Sequence, residues 1–367
     1  MSASVIVTGA TGQDGYYLVR RLLAEGFGVH AVVRDRARCE DLQTLGDGGV
    51  LTIHQLDLND ASGYRGLIAD CRPLEFYNFA GQSSVSASFK DPTSTWRTNA
   101  DAVQVMLEAI RLHSPETRFY QSSSTDMFGA GPGPTIVQDE TSPLMPQSPY
   151  AAAKAAAHIV CDAYRRGFGL RVAAGILANH ESRRRSSLFL TRKVVDHVRH
   201  IRGAAASDLR AQAPLAVGNL AAERDWGFAP DYVEGIVRIL RQVAVRAQIS
   251  GRPEEPDEGS SYRDYVLGSG RLHAVWELVD RAFTLADLPL EWDRDDPDPA
   301  RWSAAFQHTG TPAVIVNPDF IRPTDPAAIC ADTSRARHEL GWQPQPGLDR
   351  FLLDMLAPAL DDGTGGA

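Results

Sequence analysis

The chain has 367 residues, 43% apolar and 23% charged, proportions that exclude global disorder and fibrous repeats and suit one large domain or two smaller ones. Its 37 basic and 46 acidic residues give a net charge of −9, which disfavours non-specific binding to nucleic acid or a membrane surface, while a local basic patch can still hold a small anion. No apolar run is long enough to span a bilayer, Met1 to Thr8 lacks the regions of a signal peptide, and the 4 scattered cysteines contain no C-x-x-C pair, a pattern that argues against a disulfide framework or zinc site and for a reducing cytoplasmic compartment.

Strand and helix signals alternate from the start. The β-branched run Ser4 to Thr8 predicts a strand. A glycine turn follows, and Leu18, Leu22 and Leu23 give an apolar-periodic helix over about 15–25. Strands are predicted over 29–33, 50–56 and 75–79, and helices around 61–69 and 101–113. A strand over 117–122, a long Ala-rich helix over 148–166 and a strand over 171–177 follow. Apolar strands alternating with amphipathic helices imply an α/β fold, a doubly wound parallel sheet of the Rossmann kind covered on both faces. Residues 1–178 are therefore expected to form a dinucleotide-binding domain that carries a Tyr/Lys helix. Beyond 178 the segments are shorter and richer in Pro and charge. Residues 179–360 are expected to form a smaller mixed α/β lobe with segments returning to the first domain, and 361–367 a frayed tail. The polar stretches Arg252 to Ser261 and Asp293 to Pro299 read as surface insertions or mobile loops.

Gly9-Ala10-Thr11-Gly12-Gln13-Asp14-Gly15 stands in strand-turn-helix context. Glycines tighten such a turn and let the backbone approach a pyrophosphate, for which the helix N-terminus offers free N–H groups. A plain turn before an ordinary helix is the alternative, but the order of elements favours a dinucleotide site. The second strand ends at Val33-Arg34-Asp35-Arg36. An acid here suits the ribose of NAD, and an arginine suits the 2′-phosphate of NADP. Arg34 favours NADP, while Asp35 and a solvated loop remain open. Asp57-Leu58, after the third strand, is placed for an adenine amine, although Asp in that position is also a common turn residue.

Tyr150 and Lys154 lie four residues apart on the Ala-rich helix and so share one face. An ammonium beside a phenol is expected to lower the phenol's pKa and fit it for base work. Lys154 is one of three lysines in the chain, with Lys90 and Lys193. Ser122-Ser123-Ser124-Thr125-Asp126 comes at the end of the strand over 117–122, where α/β sheets place active-site groups. A hydroxyl there can bond a substrate oxygen or simply close the strand as a turn. Asp126 adds a carboxylate suited to removing a proton from carbon, which simple hydride transfer does not need.

With these residues assembled, the chain resembles the extended short-chain dehydrogenases that act on nucleotide sugars, and within them the GDP-mannose 4,6-dehydratase family. The likeness runs through TGATGQDGYYL from Thr8, YNFAGQSSV from Tyr77 and SPYAAAK from Ser148. It continues in NHES from Asn179, TRK from Thr191, GNL from Gly218, RDWG from Arg224, DYV from Asp231, FIRPT from Phe320 and LGW from Leu340. The resemblance implies NADP held by Gly9, Thr11, Gly12, Gln13, Asp14, Gly15, Arg34, Asp57, Leu58, Ala80, Gln82, Ser83, Lys154, His180 and Arg185. It implies a nucleotide sugar, GDP-linked, bound by Ser84, Asn179, Arg192, Lys193, Asn219, Arg224 and Arg322. Arg183-Arg184-Arg185 reads as an anion site or a solvated loop. Neither a metal nor a nucleic acid or membrane partner is expected, and the resemblance implies a homodimer or homotetramer in which Arg34 to Arg38 reaches a neighbour.

The family's chemistry falls on Ser124, Asp126, Tyr150 and Lys154, with Ser124 standing where the family has threonine and Asp126 where it has glutamate. The resemblance implies that Tyr150 takes the O4 proton as C4 gives up hydride, that Ser124 holds O4, and that Asp126 removes the C5 proton so that water leaves from C6. Hydride then returns to C6 to give a 4-keto-6-deoxy sugar. Phe128 in place of tyrosine, Arg183 in place of proline and Trp276 in place of arginine are further departures. An epimerase, a dehydratase that releases an unsaturated sugar, and a catalytically impaired dinucleotide-binding protein are the alternatives.

Overall fold

In the computed structural model, residues 3–45, 49–129, 136–203, 205–251, 256–321 and 328–358 are described. The run Ser4–Thr8 forms β1, and Gly28–Val33 (β2) and Leu51–Gln55 (β3) extend the sheet to one side. Glu75–Asn78 (β4), Arg118–Ser124 (β5), Val172–Leu177 (β6) and Tyr265–Leu267 (β7) extend it to the other. Among the described residues these make a 7-stranded sheet in the order β7-β6-β5-β4-β1-β2-β3. Every pairing in it is parallel. The direction of winding reverses between β1 and β4, and such a reversal opens a crevice at the strand ends.

Alternation along β1 shows why both faces are covered. Val5 and Val7 pack with Leu18 and Leu22 of α1 (Gln13–Ala24) and with Ile236 of the helix Ala229–Leu240. Ile6 points the other way and packs with Tyr64, Met106 and Cys161 from the helices Ala61–Cys71, Ala102–His113 and Pro149–Phe168. Period-2 side chains on a strand clad by helices on both sides must be apolar throughout, as SVIVT nearly is.

Two smaller sheets form largely from residues beyond 178. Glu223–Phe228 pairs antiparallel with Leu272–Ala274 and parallel with Ala328–Ala331 and Asn179–Glu181. Ser303–Phe306 lies antiparallel between Leu290–Asp293 and Pro312–Val316, and the latter runs parallel to Leu215–Val217. Val198, Trp226, Leu278, Phe283, Phe306 and Phe351 are part of a separate apolar core here. The buried Asp225 joins the parts: it accepts from Ser269 N at 2.7 Å, Gly270 N at 2.9 Å and Ala331 N at 3.2 Å. β7 and the helix Ala229–Leu240 return to the first sheet.

The polar stretches expected to be loops are tied down where they are described. Asp257 accepts from Arg118 at 2.8 Å and from the Tyr262 hydroxyl at 2.7 Å, so an acid of the RPEEPDEGSS stretch anchors it to the start of β5. Residues 252–255 of that stretch, and the tail 361–367, lie outside the described residues. Asp296 likewise takes the Arg301 guanidinium at 3.1 Å. Among the described residues no helix is long and apolar enough to cross a membrane.

Candidate active site

A cleft of about 1220 Å³ runs along the C-terminal ends of the sheet strands. Gly9 follows β1, Arg34 follows β2, Asp57 follows β3, Ala80 follows β4, Ser124 ends β5 and Asn179 follows β6, and all of them line it. The parallel sheet therefore gathers into one groove residues spread over 170 positions of sequence, and the lobe beyond 178 closes the far wall with Lys193, Asn219 and Arg224.

The glycine turn is built by sterics. Gly9 has φ +66°, and a Cβ there would press on the backbone of Ala80. A Cβ on Gly15 would be driven into the Gly9 carbonyl. Gly12 N bonds Gly9 O at 2.9 Å, and Gly12 caps α1 without a side chain. The first-turn N–H groups thus meet the cleft with no capping side chain over them, which fits a pyrophosphate.

His180 does not simply line this turn. Its Nε2 lies 3.0 Å from Asp14 Oδ2, its Nδ1 lies 2.8 Å from Ala178 O, and its ring stacks on Tyr232 at 4.6 Å. Burial disfavours the imidazolium, yet the facing Asp14 carboxylate outweighs it and raises the His180 pKa. Burial likewise opposes the Asp14 charge, and the His180 cation overrides it and holds the carboxyl below its usual range. Gln13 completes the lock by donating to His180 O at 2.9 Å and accepting from the Ser182 hydroxyl at 2.9 Å.

The helix Pro149–Phe168 begins where Ser148 accepts from Ala151 N at 3.1 Å, with Pro149 in the first turn. That start sets Tyr150 against the cleft, next to Ser124, whose hydrogen bond favours the phenolate. Lys154 Nζ donates to Ser122 O at 2.9 Å and stands 5.9 Å from the Tyr150 ring centroid. The expectation that Lys154 lowers the phenol's pKa is corrected here. Burial pushes Tyr150 up, Asp126 pushes it further, and the Ser124 hydrogen bond offsets only part. Burial also brings the Lys154 ammonium down to about 8. The Asp126 N–H bonds Ser124 Oγ at 3.2 Å, which turns the chain over after β5 and returns the Asp126 side chain to the cleft.

A buried relay, which pattern reasoning missed, sets the Ser122 carbonyl. Gln121 Nε2 donates to it at 3.0 Å, and Gln121 Oε1 accepts from Asn78 Nδ2 at 2.8 Å. Asn78 Oδ1 accepts from Thr8 Oγ1 at 2.6 Å, and Thr8 Oγ1 accepts from Ala80 N at 3.2 Å. Polar residues at the last positions of β1 and β4 and inside β5 were the available signal, since a buried polar side chain at a strand end needs a partner.

Arg34 lines the cleft, and among the described residues no hydrogen bond or ion pair holds its guanidinium. Asp35 is turned to cap the following 3₁₀ turn by accepting from Ala37 N at 3.0 Å. Arg36 donates to Ile53 O at 2.6 Å. Asp57 serves a turn by accepting from Asn59 N at 2.8 Å, and it also lines the cleft beside Leu58.

The arginine cluster divides. Arg185 lines the cleft, pairs with Glu181 at 3.1 Å and lies 3.5 Å over the Phe189 ring. Arg183 is spent on Asp354 at 2.8 Å, and Arg184 on Asp41 at 2.8 Å and on the Tyr16 ring. Arg192 is not among the lining residues. It turns to Asp196 at 2.7 Å and to the Arg183 carbonyl at 3.0 Å, because its place on the helix Leu190–Ile201 faces that neighbour. Gln82, Ser83 and Ser84 line the cleft, and Ser84 also caps the helix Val85–Lys90. Arg322 lies outside the described residues. Of the departures, Phe128 is buried against Met127, Ala155 and Ile176, and Trp276 packs on Trp292 and Arg294 away from the cleft.

A doubly wound parallel sheet, a G-x-x-G-x-x-G turn opening α1 and a Tyr-x-x-x-Lys helix beside it define an extended short-chain dehydrogenase/reductase. The model of the GDP-mannose 4,6 dehydratase family matches residues 6–355, and the chain belongs to that family of hydro-lyases. It is 35% identical over 369 residues to GDP-mannose 4,6 dehydratase 2 of Arabidopsis thaliana, covering 97% of this chain and 86% of that one. It is 36% identical over 362 residues to GDP-mannose 4,6-dehydratase of Sinorhizobium fredii strain HH103, covering 96% and 95%. Among solved structures, dTDP-glucose 4,6-dehydratase from Bacillus anthracis in complex with NAD gives a TM-score of 0.72 at 18% identity, over 97% and 96% of the two chains. RMD from Pseudomonas aeruginosa complexed with NADPH gives 0.68 at 20%, over 97% and 98%. These two share the fold.

Proposed function

We propose that the chain is an NADP-dependent GDP-mannose 4,6-dehydratase that forms a 4-keto-6-deoxy sugar nucleotide. The observation that carries this reading is the meeting of Asp126 with Tyr150 and Ser124 in one cleft with the glycine turn, since redox chemistry alone needs no second acid. The open N–H groups of the Gly9–Gly15 turn fit the pyrophosphate of a dinucleotide, Asp57 and Leu58 fit its adenine, and Lys154 fits its ribose. The Arg34 guanidinium, without a partner among the described residues, and an Asp35 occupied in capping the next turn favour a 2′-phosphate over a bare ribose diol, hence NADP. Lys193, Asn219 and Arg224 bind the substrate's diphosphate and nucleoside, with Arg185 as a further cation on the cofactor side.

A bound nicotinamide supplies the hydride acceptor for C4 and the hydride donor for C6. The chain's own residues handle the protons and hold the sugar. Tyr150 takes the O4 proton, and Ser124 holds O4 and stabilises the phenolate. Below about pH 8 the buried Lys154 carries the positive charge beside them. Asp126 takes the C5 proton made acidic by the C4 ketone and passes it to the departing C6 hydroxyl, which leaves as water. Incubation with GDP-mannose and NADP tests the reading by mass spectrometry. Loss of 18 mass units is expected, while an isomer of unchanged mass or no turnover overturns it. Asp126→Asn keeps size and loses basicity. It should abolish dehydration and C5 deuterium uptake while nicotinamide absorbance still appears. Dehydration by this variant at the parent rate removes Asp126 from the mechanism.

A further inference from the structure

The Tyr150 helix carries a third polar residue on its working face. Tyr150, Lys154 and His158 are spaced by four and so stack along one side of the helix. Each meets one of three consecutive serines at the end of β5. Tyr150 takes a hydrogen bond from Ser124, Lys154 donates to the Ser122 carbonyl, and His158 Nδ1 lies 3.3 Å from the Ser123 hydroxyl. Ser123 is 3% exposed, so its hydroxyl needs this partner.

His158 has a carboxylate behind it. Its Nε2 lies 3.7 Å from Asp264 Oδ2, and Asp264 is fixed by Arg165 at 2.8 Å and by Ala174 N at 2.7 Å. Burial lowers the His158 pKa and Arg165 lowers it further, while Asp264 and Asp162 oppose them, so the ring is neutral near pH 7. The Asp264 contact is longer than a hydrogen bond, but a neutral ring with its proton on Nε2, on the carboxylate side, leaves Nδ1 to accept from the Ser123 hydroxyl.

We propose that His158 is a positioning residue for the reaction, holding Ser122–Ser124 through Ser123 in the register that gives Lys154 its carbonyl and Tyr150 its hydroxyl partner. Sliding or tilting that segment moves both contacts together, because they lie on the residues either side of Ser123. The motif on the helix is then Tyr-x-x-x-Lys-x-x-x-His, with Asp264 as the outer stop.

This inference rests on the dehydratase reading for its kinetic test and stands apart from it in a second one. With GDP-mannose and NADP, Ser123→Ala and His158→Leu should each lower kcat about threefold to tenfold, the range one neutral hydrogen bond commands, with KM changed less than about twofold. The double variant should lose no more than the worse single one. His158→Asn keeps a polar atom where Nδ1 stands and should recover most of the loss. Additive losses, losses confined to KM, or His158→Asn no better than His158→Leu overturn the proposal. Hydrogen exchange needs no turnover: Ser123→Ala should speed exchange in 118–124 and 150–158 together. Unchanged exchange in both segments overturns the proposal, whereas faster exchange in a protein that turns over no GDP-mannose leaves it standing and removes only the dehydratase reading.

Discussion

The two ends of the cleft are built from different materials. The end proposed for the dinucleotide is mostly backbone: a turn that only glycine fits at Gly9 and Gly15, and helix N–H groups without a capping side chain. The end proposed for the sugar nucleotide is side chains, and these are already engaged within the protein. Arg224 donates to Glu223 O at 2.7 Å, and Asn219 accepts from Ala221 N at 3.0 Å. A backbone site is rigid and general, and it tolerates almost no substitution. A side-chain site must release its internal partners to a ligand, so each residue there contributes little singly but jointly sets which sugar fits.

That contrast makes graded predictions. Gly15→Ala has the largest expected effect. The added methyl has no room against the Gly9 carbonyl, so the turn must move and dinucleotide binding, followed by tryptophan fluorescence quenching, should be lost outright. Retained tight binding would mean the turn is not the pyrophosphate site. Tyr150→Phe comes next. It leaves packing nearly unchanged and removes the acid–base group, so turnover should fall roughly a hundredfold or more with cofactor affinity intact. A side-chain contact at the boundary should be milder. Arg34→Ala should weaken NADP by about tenfold, the scale of one charge-assisted hydrogen bond, and leave NAD nearly unaffected. Equal weakening of both cofactors, read by calorimetry, would place the 2′-phosphate elsewhere.

The same contrast explains how far the sequence could be read. The succession of strands from β1 to β6 follows from apolar runs and glycine turns, because a strand clad on both faces and a turn that excludes Cβ each leave a local mark. The strand-end serines, Tyr150 and Lys154 were legible for the same reason. Four neighbouring arginines on the other wall were not. Arg183, Arg184, Arg185 and Arg192 look alike in sequence, yet Asp354, Asp41, Glu181 and Asp196 from distant and adjacent segments decide which of them faces the cleft. The relay Thr8–Asn78–Gln121 was hidden likewise, since it joins residues up to 113 positions apart through side-chain geometry alone. The electrostatics of Tyr150 also escaped: a four-residue spacing puts Lys154 on the same face but says nothing of burial, which outweighs it.

The smallest effect concerns the seam between the two ends, where Asp14 of the glycine turn meets His180 of the strand Asn179–Glu181. His180 has its pKa raised above the ordinary 6.5, so its contribution to stability is complete below pH 6.5 and is lost as pH rises through the folded value. Asp14 has its pKa lowered below the ordinary 3.8, so its contribution is complete above pH 3.8 and is lost only as pH falls through the folded value. The pair therefore stabilises most between these two ordinary values and weakens on the alkaline side. Asp14→Asn removes the carboxylate but keeps the shape and a hydrogen-bond acceptor. Its melting temperature should lie below the parent's by the widest margin near pH 5.5, and the gap should close by about 1–2 °C between pH 6.5 and pH 9. The parent should also bind dinucleotide less tightly across the same rise, because an Asp14 no longer neutralised by His180 faces the pyrophosphate turn, and Asp14→Asn should remove that slope. A stability gap that stays constant or widens with pH would show that the two side chains meet as a neutral hydrogen bond, and that the seam carries no charge.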